Sequence, residues 1–261
     1  MLRGGQEGYD RLQLLASIRR PDTAKLFRLA GVRPRMHCLD LGCGSGDVTF
    51  DLAHLTGPVG TVVGIDMDED MLALARLATP AQGVSNVEFR AADVTQWDEP
   101  DSYDLVYSRV LLQRLGDPVD LVRRMWRAVR AGGVIAVEDA DFDGLFCDPG
   151  NDGFEFYRTM YPRVCASNGG DATVGRKLSR YFAEAGIPEP EMRLVQNFGA
   201  SADLKALAVS TLEGSAGAIV AAGLASGDEV AAAIADLRAF ADTAGTLIGE
   251  PRTFQIWASR R

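Results

Sequence analysis

The twelve residues from Met36 to Asp47, MHCLDLGCGSGD, constrain this chain more than any other stretch. An apolar run closed by alternating glycines reads as a buried strand and the sharp turn after it. Val48, Leu52 and Leu55 then recur at helical spacing, so the turn delivers the chain into a helix. Strand, glycine turn and helix form the first half of a βαβ unit that holds a nucleotide against the turn. Glycine is needed there because the backbone turns sharply and a ligand must approach it without a Cβ in the way. Spacing narrows the ligand. A G-x-G-x-x-G dinucleotide fingerprint counted from Gly42 requires glycine where Asp47 stands. A carboxylate at the helix start also opposes a pyrophosphate, which such a site holds through bare N–H groups.

Two further acids close β-rich runs. Thr61 to Asp66 is β-branched, and Asp66 falls twenty residues after Gly46, where such folds place a carboxylate for both ribose hydroxyls. Met67 beside it is suited to pack on an adenine face. Asn86 to Val94 repeats the pattern and ends at Asp93. With D-x-G-x-G-x-G running from Asp40 to Gly46, the chain resembles the class I S-adenosylmethionine-dependent methyltransferases. The likeness is continuous from Met36 to Asp139 and is similar to the small-molecule, ubiquinone/menaquinone-biosynthesis type.

That resemblance implies S-adenosylmethionine as cofactor. It assigns binding to Asp40, Gly42, Gly44, Gly46, Asp66, Met67, Asp93, Val94 and Ser108, with Asp93 receiving the adenine amino group. It also implies an α/β fold, a Rossmann-like doubly wound sheet of seven strands in the order 3-2-1-4-5-7-6, the last strand antiparallel. Residues 1–34 read as a helical lid, with helices from Tyr9 to Ile18 and from Asp22 to Ala30. Pro21 separates them and Gly31 stops the second. Tyr9, Arg11 or Gln13 is then placed to reach the methionine end of the cofactor; the alternative is that these helices only cover the sheet edge.

Residues 35–261 read as the methyltransferase domain, with cap segments at about 141–170 and 200–248. Tyr103 to Ser108 is the fourth strand, and Arg109 to Leu115 is short and helical. In the family this stretch passes under the transferred methyl group; many small-molecule members carry histidine there, and Gln113 stands at the comparable position. Asp117-Pro118 opens an amphipathic helix that Gly132-Gly133 ends. Val134 to Asp139 is the fifth strand, Met192 to Phe198 the sixth and Thr253 to Ser259 the last. Phe142, Phe146, Phe154, Phe156, Tyr157 and Tyr161 read equally as pocket lining or as core. Helices are expected over 174–185, 203–223 and 228–247.

Thirty-six acidic residues against 27 basic ones give a net charge of −9, which argues against sequence-independent nucleic-acid binding. The polar N-terminus, four scattered cysteines and the lack of an uninterrupted bilayer-length apolar run predict a cytoplasmic protein with reduced thiols. No metal site is expected. Methyl transfer is an in-line displacement, so positioning does much of the work and a base is needed only for a protonated acceptor. His37 and His54 read as structural. Any base comes from Glu138, Asp139, Asp141 or Asp143, while Arg109 or Arg114 would steer an anion. The reading is methyl transfer to a small organic acceptor of secondary metabolism, oxygen ahead of nitrogen or carbon. Its partners are a small molecule, no nucleic acid and no membrane, with a homodimer left open. The alternatives are a non-methylating pericyclic or decarboxylation step on the same cofactor, and a non-enzymatic cofactor-binding module.

Overall fold

The apolar runs pair because a strand covered on both faces must satisfy every backbone group in a ladder. The computed structural model describes residues 5–261. Its strands are β1 (His37–Leu41), β2 (Thr61–Asp66), β3 (Val87–Ala91), β4 (Tyr103–Arg109), β5 (Val129–Asp141), β6 (Phe146–Asp148), β7 (Glu191–Val195), β8 (Phe198–Gly199), β9 (Leu247–Gly249) and β10 (Arg252–Ser259). The helices are α1 (Gly5–Leu29), α2 (Asp47–Thr56), α3 (Glu69–Gln82), α4 (Pro118–Ala128), α5 (Asp152–Ser167), α6 (Leu178–Glu184), α7 (Ala202–Ala221) and α8 (Gly227–Asp242).

The main sheet has the order β3-β2-β1-β4-β5-β10-β7. Strands β3 to β5 pair in parallel, and β10 lies antiparallel between β5 and β7. Counting β7 as sixth and β10 as seventh, this is the expected order. Alternation along each strand feeds two cores. Leu39, Val106, Ile135 and Val137 pack with Val122 and Met125 of α4 and Phe182 of α6. Cys38, Leu105, Tyr107 and Ala136 pack on the other face with Leu26 and Phe27 of α1 and Leu52 of α2. A third cluster joins α5, α7 and α8 through Phe154, Tyr157, Leu212, Leu237 and Phe240.

The structure corrects four boundaries. Pro21 does not divide the N-terminal helix, since α1 runs unbroken from Gly5 to Leu29. The lost N–H is outweighed by contacts on both sides of it. Arg20 bonds Asp51 at 3.0 Å, and Arg193 reaches Asp22 at 2.7 Å. Helix α4 ends at Ala128 rather than at Gly132, because Val129 already pairs with Tyr103 and the glycines lie in an irregularity of β5. The expected sixth strand is two strands. β7 joins the main sheet, whereas β8 turns away into a small antiparallel sheet of order β6-β9-β8. The helix expected over 174–185 begins as a 3-10 turn at Val174–Lys177 before α6. Helix α7 is long and apolar enough by composition to cross a membrane, yet Leu207, Leu212 and Ile219 are buried within the cap.

Helices α5 and α8 touch through backbone at Gly153. A Cβ there would stand 2.5 Å from the Ala233 carbonyl oxygen and 2.7 Å from the Leu237 nitrogen. At Gly217 in α7 the position a Cβ would take has no neighbouring atom within 4 Å. Gly153→Ala is therefore expected to lower unfolding free energy by about 1–3 kcal/mol. Gly217→Ala should raise it by about 0.5–1 kcal/mol, both read by urea denaturation. Equal effects would show that the helix contact is looser than described.

Candidate active site

The glycine turn is tied to the end of β2. Gly42, Gly44 and Gly46 have φ of 72°, 52° and 80°, the left-handed region in which a side chain is strained. The N–H groups of Gly42 and Cys43 both donate to the Ile65 carbonyl, at 2.8 and 3.0 Å. This brings Asp66 under the turn, where Gly44 N–H donates to its Oδ2 at 2.8 Å and Asp68 N–H to its Oδ1 at 3.0 Å. Both oxygens are thereby oriented by backbone rather than by a mobile side chain.

Asp40 is buried and accepts the Thr49 hydroxyl at 2.7 Å; burial pushes its carboxyl up to about 6. Asp47 accepts the Ser45 hydroxyl at 2.5 Å. Asp93 is exposed after β3 and accepts the N–H and the hydroxyl of Thr95, each at 2.8 Å, which hold its carboxyl below the usual range.

A cavity of about 610 Å³ opens at this edge. One half is walled by Asp40, Gly42, Gly44, Asp66, Met67 and the pair Asp93 and Val94. The other half lies beneath the cap, between α1, α5, α7 and the β9–β10 turn. Gln113 stands between them. It is fully buried, and neither its Nε2 nor its Oε1 has a hydrogen-bond partner. Arg109 and Arg114 also line the cavity.

Three residues assigned to the cofactor do not reach this wall. Gly46 faces inward, where a Cβ would lie 2.8 Å from the Phe89 ring, so it serves close packing of α2 on β3. Ser108 is buried and donates to Met125 Sδ at 3.9 Å on the α4 side. Tyr9 sits off the inward stripe of α1, although it lies near enough to Asp47 on the glycine-turn half that burial and then that carboxylate raise its pKa. That stripe is Gly8, Arg11, Leu12, Leu15 and Arg19, at three- and four-residue spacing, and Leu12 lies over Gly44. Of the three residues expected to reach inward from the N-terminus, Arg11 lines the cavity.

The carboxylates offered as a base are all consumed elsewhere. Glu138 accepts from the Tyr107 hydroxyl and from Gln255 Nε2, each at 2.5 Å. Asp139 accepts from Ala140 N–H at 2.8 Å and Gln113 N–H at 3.3 Å, and burial pushes it up to about 6. Asp141 pairs with Arg176 and Arg252, and Asp143 with Arg176 at 2.8 Å. None of the four lines the cavity: Glu138, Asp139 and Asp141 are buried on β5, and Asp143 follows in the turn Phe142–Gly144. The candidacy of Glu138 and Asp139 as a base therefore finds no support in the geometry. His37 stacks on Tyr103 at 4.6 Å away from the cavity, and His54 is exposed on α2. Among the described residues no group of three or more His, Cys, Asp or Glu is placed to hold a metal ion.

Arg19, Glu250, Thr211 and Ser215 carry no motif in the sequence, yet all four line the cap half. Only the stripe of α1 holds a readable signal for Arg19. The aromatic segment divides: Phe142, Phe154, Tyr157 and Tyr161 are buried and also wall the cavity, whereas Phe146 is exposed and Phe156 packs partly buried on the cap core, neither of them lining it.

A parallel sheet with its ligand edge built from a glycine turn and two strand-end acids defines a nucleotide-cofactor enzyme fold. A family model described as "Methyltransferase domain" matches residues 33–186. The chain belongs to that methyltransferase family. It is 31% identical over 134 residues to the demethylmenaquinone methyltransferase of Lactococcus lactis, covering 50% of this chain and 53% of that protein. It is 41% identical over 106 residues to the trans-aconitate 2-methyltransferase of Deinococcus radiodurans, covering 41% and 38%. The chain thus spans about half the length, or less, of these curated relatives. The solved structure of the YcgJ protein of Bacillus subtilis matches with a TM-score of 0.62 at 16% identity, over 93% of this chain and 99% of that one.

The raised carboxyl of Asp40 has a measurable sign. Its folded value of about 6 lies above the 3.8 of an ordinary aspartate, so the stability it contributes is complete below about pH 4 and is lost as pH rises through 6. Between about pH 4 and pH 7 the stability of the ligand-free protein relative to Asp40→Asn is expected to fall by up to roughly 3 kcal/mol. Denaturant titrations at the two pH values test this. A difference independent of pH would mean that Asp40 titrates normally.

Proposed function

We propose that the protein transfers the methyl group of S-adenosylmethionine to a small organic acceptor, with oxygen as the receiving atom. The observation that carries the cofactor is the Asp66 carboxylate, held under the glycine turn by two backbone N–H groups on the cavity wall. Its oxygens are suited to a vicinal diol. Asp93 and Val94 lie on the same wall for the adenine, and Gly42 and Gly44 let the cofactor approach the backbone. The residues present therefore fit the group that the family implies.

When bound, the cofactor supplies a sulfonium methyl whose C–S bond breaks as the bond to the acceptor forms. The chain's own part is to hold the acceptor in line and to exclude water, which α1 does by spanning the cavity from Gly8 to Arg19. Oxygen is favoured over an amine because the guanidiniums of Arg11, Arg19 and Arg114 line the cap half, and these donate to oxygen while repelling an ammonium. The enclosed site and the net charge of −9 suit a small molecule better than a nucleic acid.

Calorimetric titration with S-adenosylmethionine and S-adenosylhomocysteine tests the assignment. Asp66→Ala is expected to weaken both by roughly 10- to 100-fold, the loss of hydrogen bonds to a charged group. Affinity untouched by that substitution would move the ribose contact elsewhere. Conversion of an acceptor without formation of S-adenosylhomocysteine would replace methyl transfer by the non-methylating alternative.

A further inference from the structure

The cavity divides by charge. Its glycine-turn half presents five carboxylates, Asp40, Asp47, Asp66, Asp68 and Asp93, against the single guanidinium of Arg109. Its cap half reverses the sign, with Arg11, Arg19 and Arg114 against Glu250. A cationic cofactor matches the first half. The second is built for an anion.

Arg19 makes the case most directly. It is 5% exposed, and its Nε and Nη1 have no hydrogen-bond partner. Its Nη2 faces Glu250 Oε1 at 3.7 Å, beyond hydrogen-bond distance, and that oxygen is unpartnered as well. Buried charged donors left in this state are unfavourable unless a ligand meets them. Arg11 is half-buried two turns earlier on the same stripe of α1, and Arg114 is exposed at the rim. Among the described residues neither guanidinium has an ion pair or hydrogen bond. Burial and then the neighbouring Arg114 charge lower the pKa of Arg11, as expected where two guanidiniums converge.

The walls around these donors are apolar and flat. Phe142 stacks on Tyr161 with centroids 4.1 Å apart and an interplanar angle of 14°, and Tyr157 meets both rings edge-on. Leu145 and Leu207 complete the lining. The unpartnered amide of Gln113 stands where this chamber meets the cofactor half.

We propose that the acceptor is a carboxylic acid with an aromatic or apolar body, its carboxylate held by Arg11 and Arg19 and its body laid against Phe142, Tyr157 and Tyr161. Planar guanidiniums match the geometry of a carboxylate, and both arginines come from one helix, so the acid also fastens α1 over the cavity. This rests on the methyltransferase reading and adds to it what the cap half recognises.

The test uses the full chain saturated with S-adenosylhomocysteine and titrated calorimetrically with benzoate, cinnamate, naphthoate and octanoate, each beside its primary amide. At least one acid is expected to bind tenfold or more tightly than its amide. Arg11→Met and Arg19→Met should each weaken that acid by tenfold or more while S-adenosylhomocysteine affinity stays within about twofold. Arg11→Met guards against misfolding, since Arg11 has no partner to lose, whereas Arg19→Met strands Glu250. If S-adenosylhomocysteine binds but the amides match their acids, or no acid binds, the acid assignment is wrong and the methyltransferase reading stands. Weakened S-adenosylhomocysteine binding in Arg11→Met would give that guanidinium to the cofactor and overturn the proposal. Failure of S-adenosylhomocysteine to bind the wild-type chain would remove both readings together.

Discussion

The pair of N–H bonds from Gly42 and Cys43 to the Ile65 carbonyl is the constraint on which the rest of the site depends. It extends the β1–β2 pairing by one step into the turn, so the glycine loop and the end of β2 move as one body. Asp66 follows Ile65 directly, and Gly44 N–H then fixes its carboxylate. The left-handed φ values at Gly42 and Gly44 are what allow those N–H groups to face β2. A side chain at Gly42 would also press on Leu111, in the segment that carries Gln113. Turn, ribose acid and transfer segment are thus coupled through contacts a few ångströms long.

A second physical theme is the distribution of buried charge. Acids on β5 find partners inside the fold: Glu138 accepts from Tyr107 and Gln255, Asp139 from two backbone N–H groups, and Asp141 pairs with Arg176 and Arg252. Charges facing the cavity are treated differently. Asp40 has one side-chain hydrogen bond, from the Thr49 hydroxyl, with the Arg109 charge nearby, and Arg19 has a distant Glu250. A fold that satisfies one set and leaves the other poorly paired concentrates its unspent electrostatic interaction where ligands enter.

Much of the fold was legible because short-range patterns and long-range pairing agree. The β-branched run at Thr61 to Asp66, the glycine stop at Gly31 and the Asp117-Pro118 cap each act within a few residues. Their elements appear where the pattern put them. The failures are places where a distant contact overrode a local signal. Pro21 breaks helices by local rule, but anchors at Asp51 and Arg193 keep α1 continuous. Gly132 ends helices by local rule, but pairing of Val129 with Tyr103 ended α4 first. Phe198 continues an apolar strand by pattern, yet pairs with Gly249 in another sheet.

The sequence by itself determined the glycine turn and the strand-end acids, since these follow from residue types at fixed spacing along the chain, while the order of the main sheet was implied by the family resemblance those residues carry. Asp66 and Asp93 reach one cavity wall because each closes a parallel strand of that sheet. Only the tertiary structure decided which side chains face the second half. Arg19 and Glu250 are separated by most of the chain and meet because α1 crosses beneath the β9–β10 turn. Glu138 and Asp139 looked equally available in the sequence, but the antiparallel insertion of β10 beside β5 encloses them. Spacing fixes what one element presents; packing decides what that side chain meets.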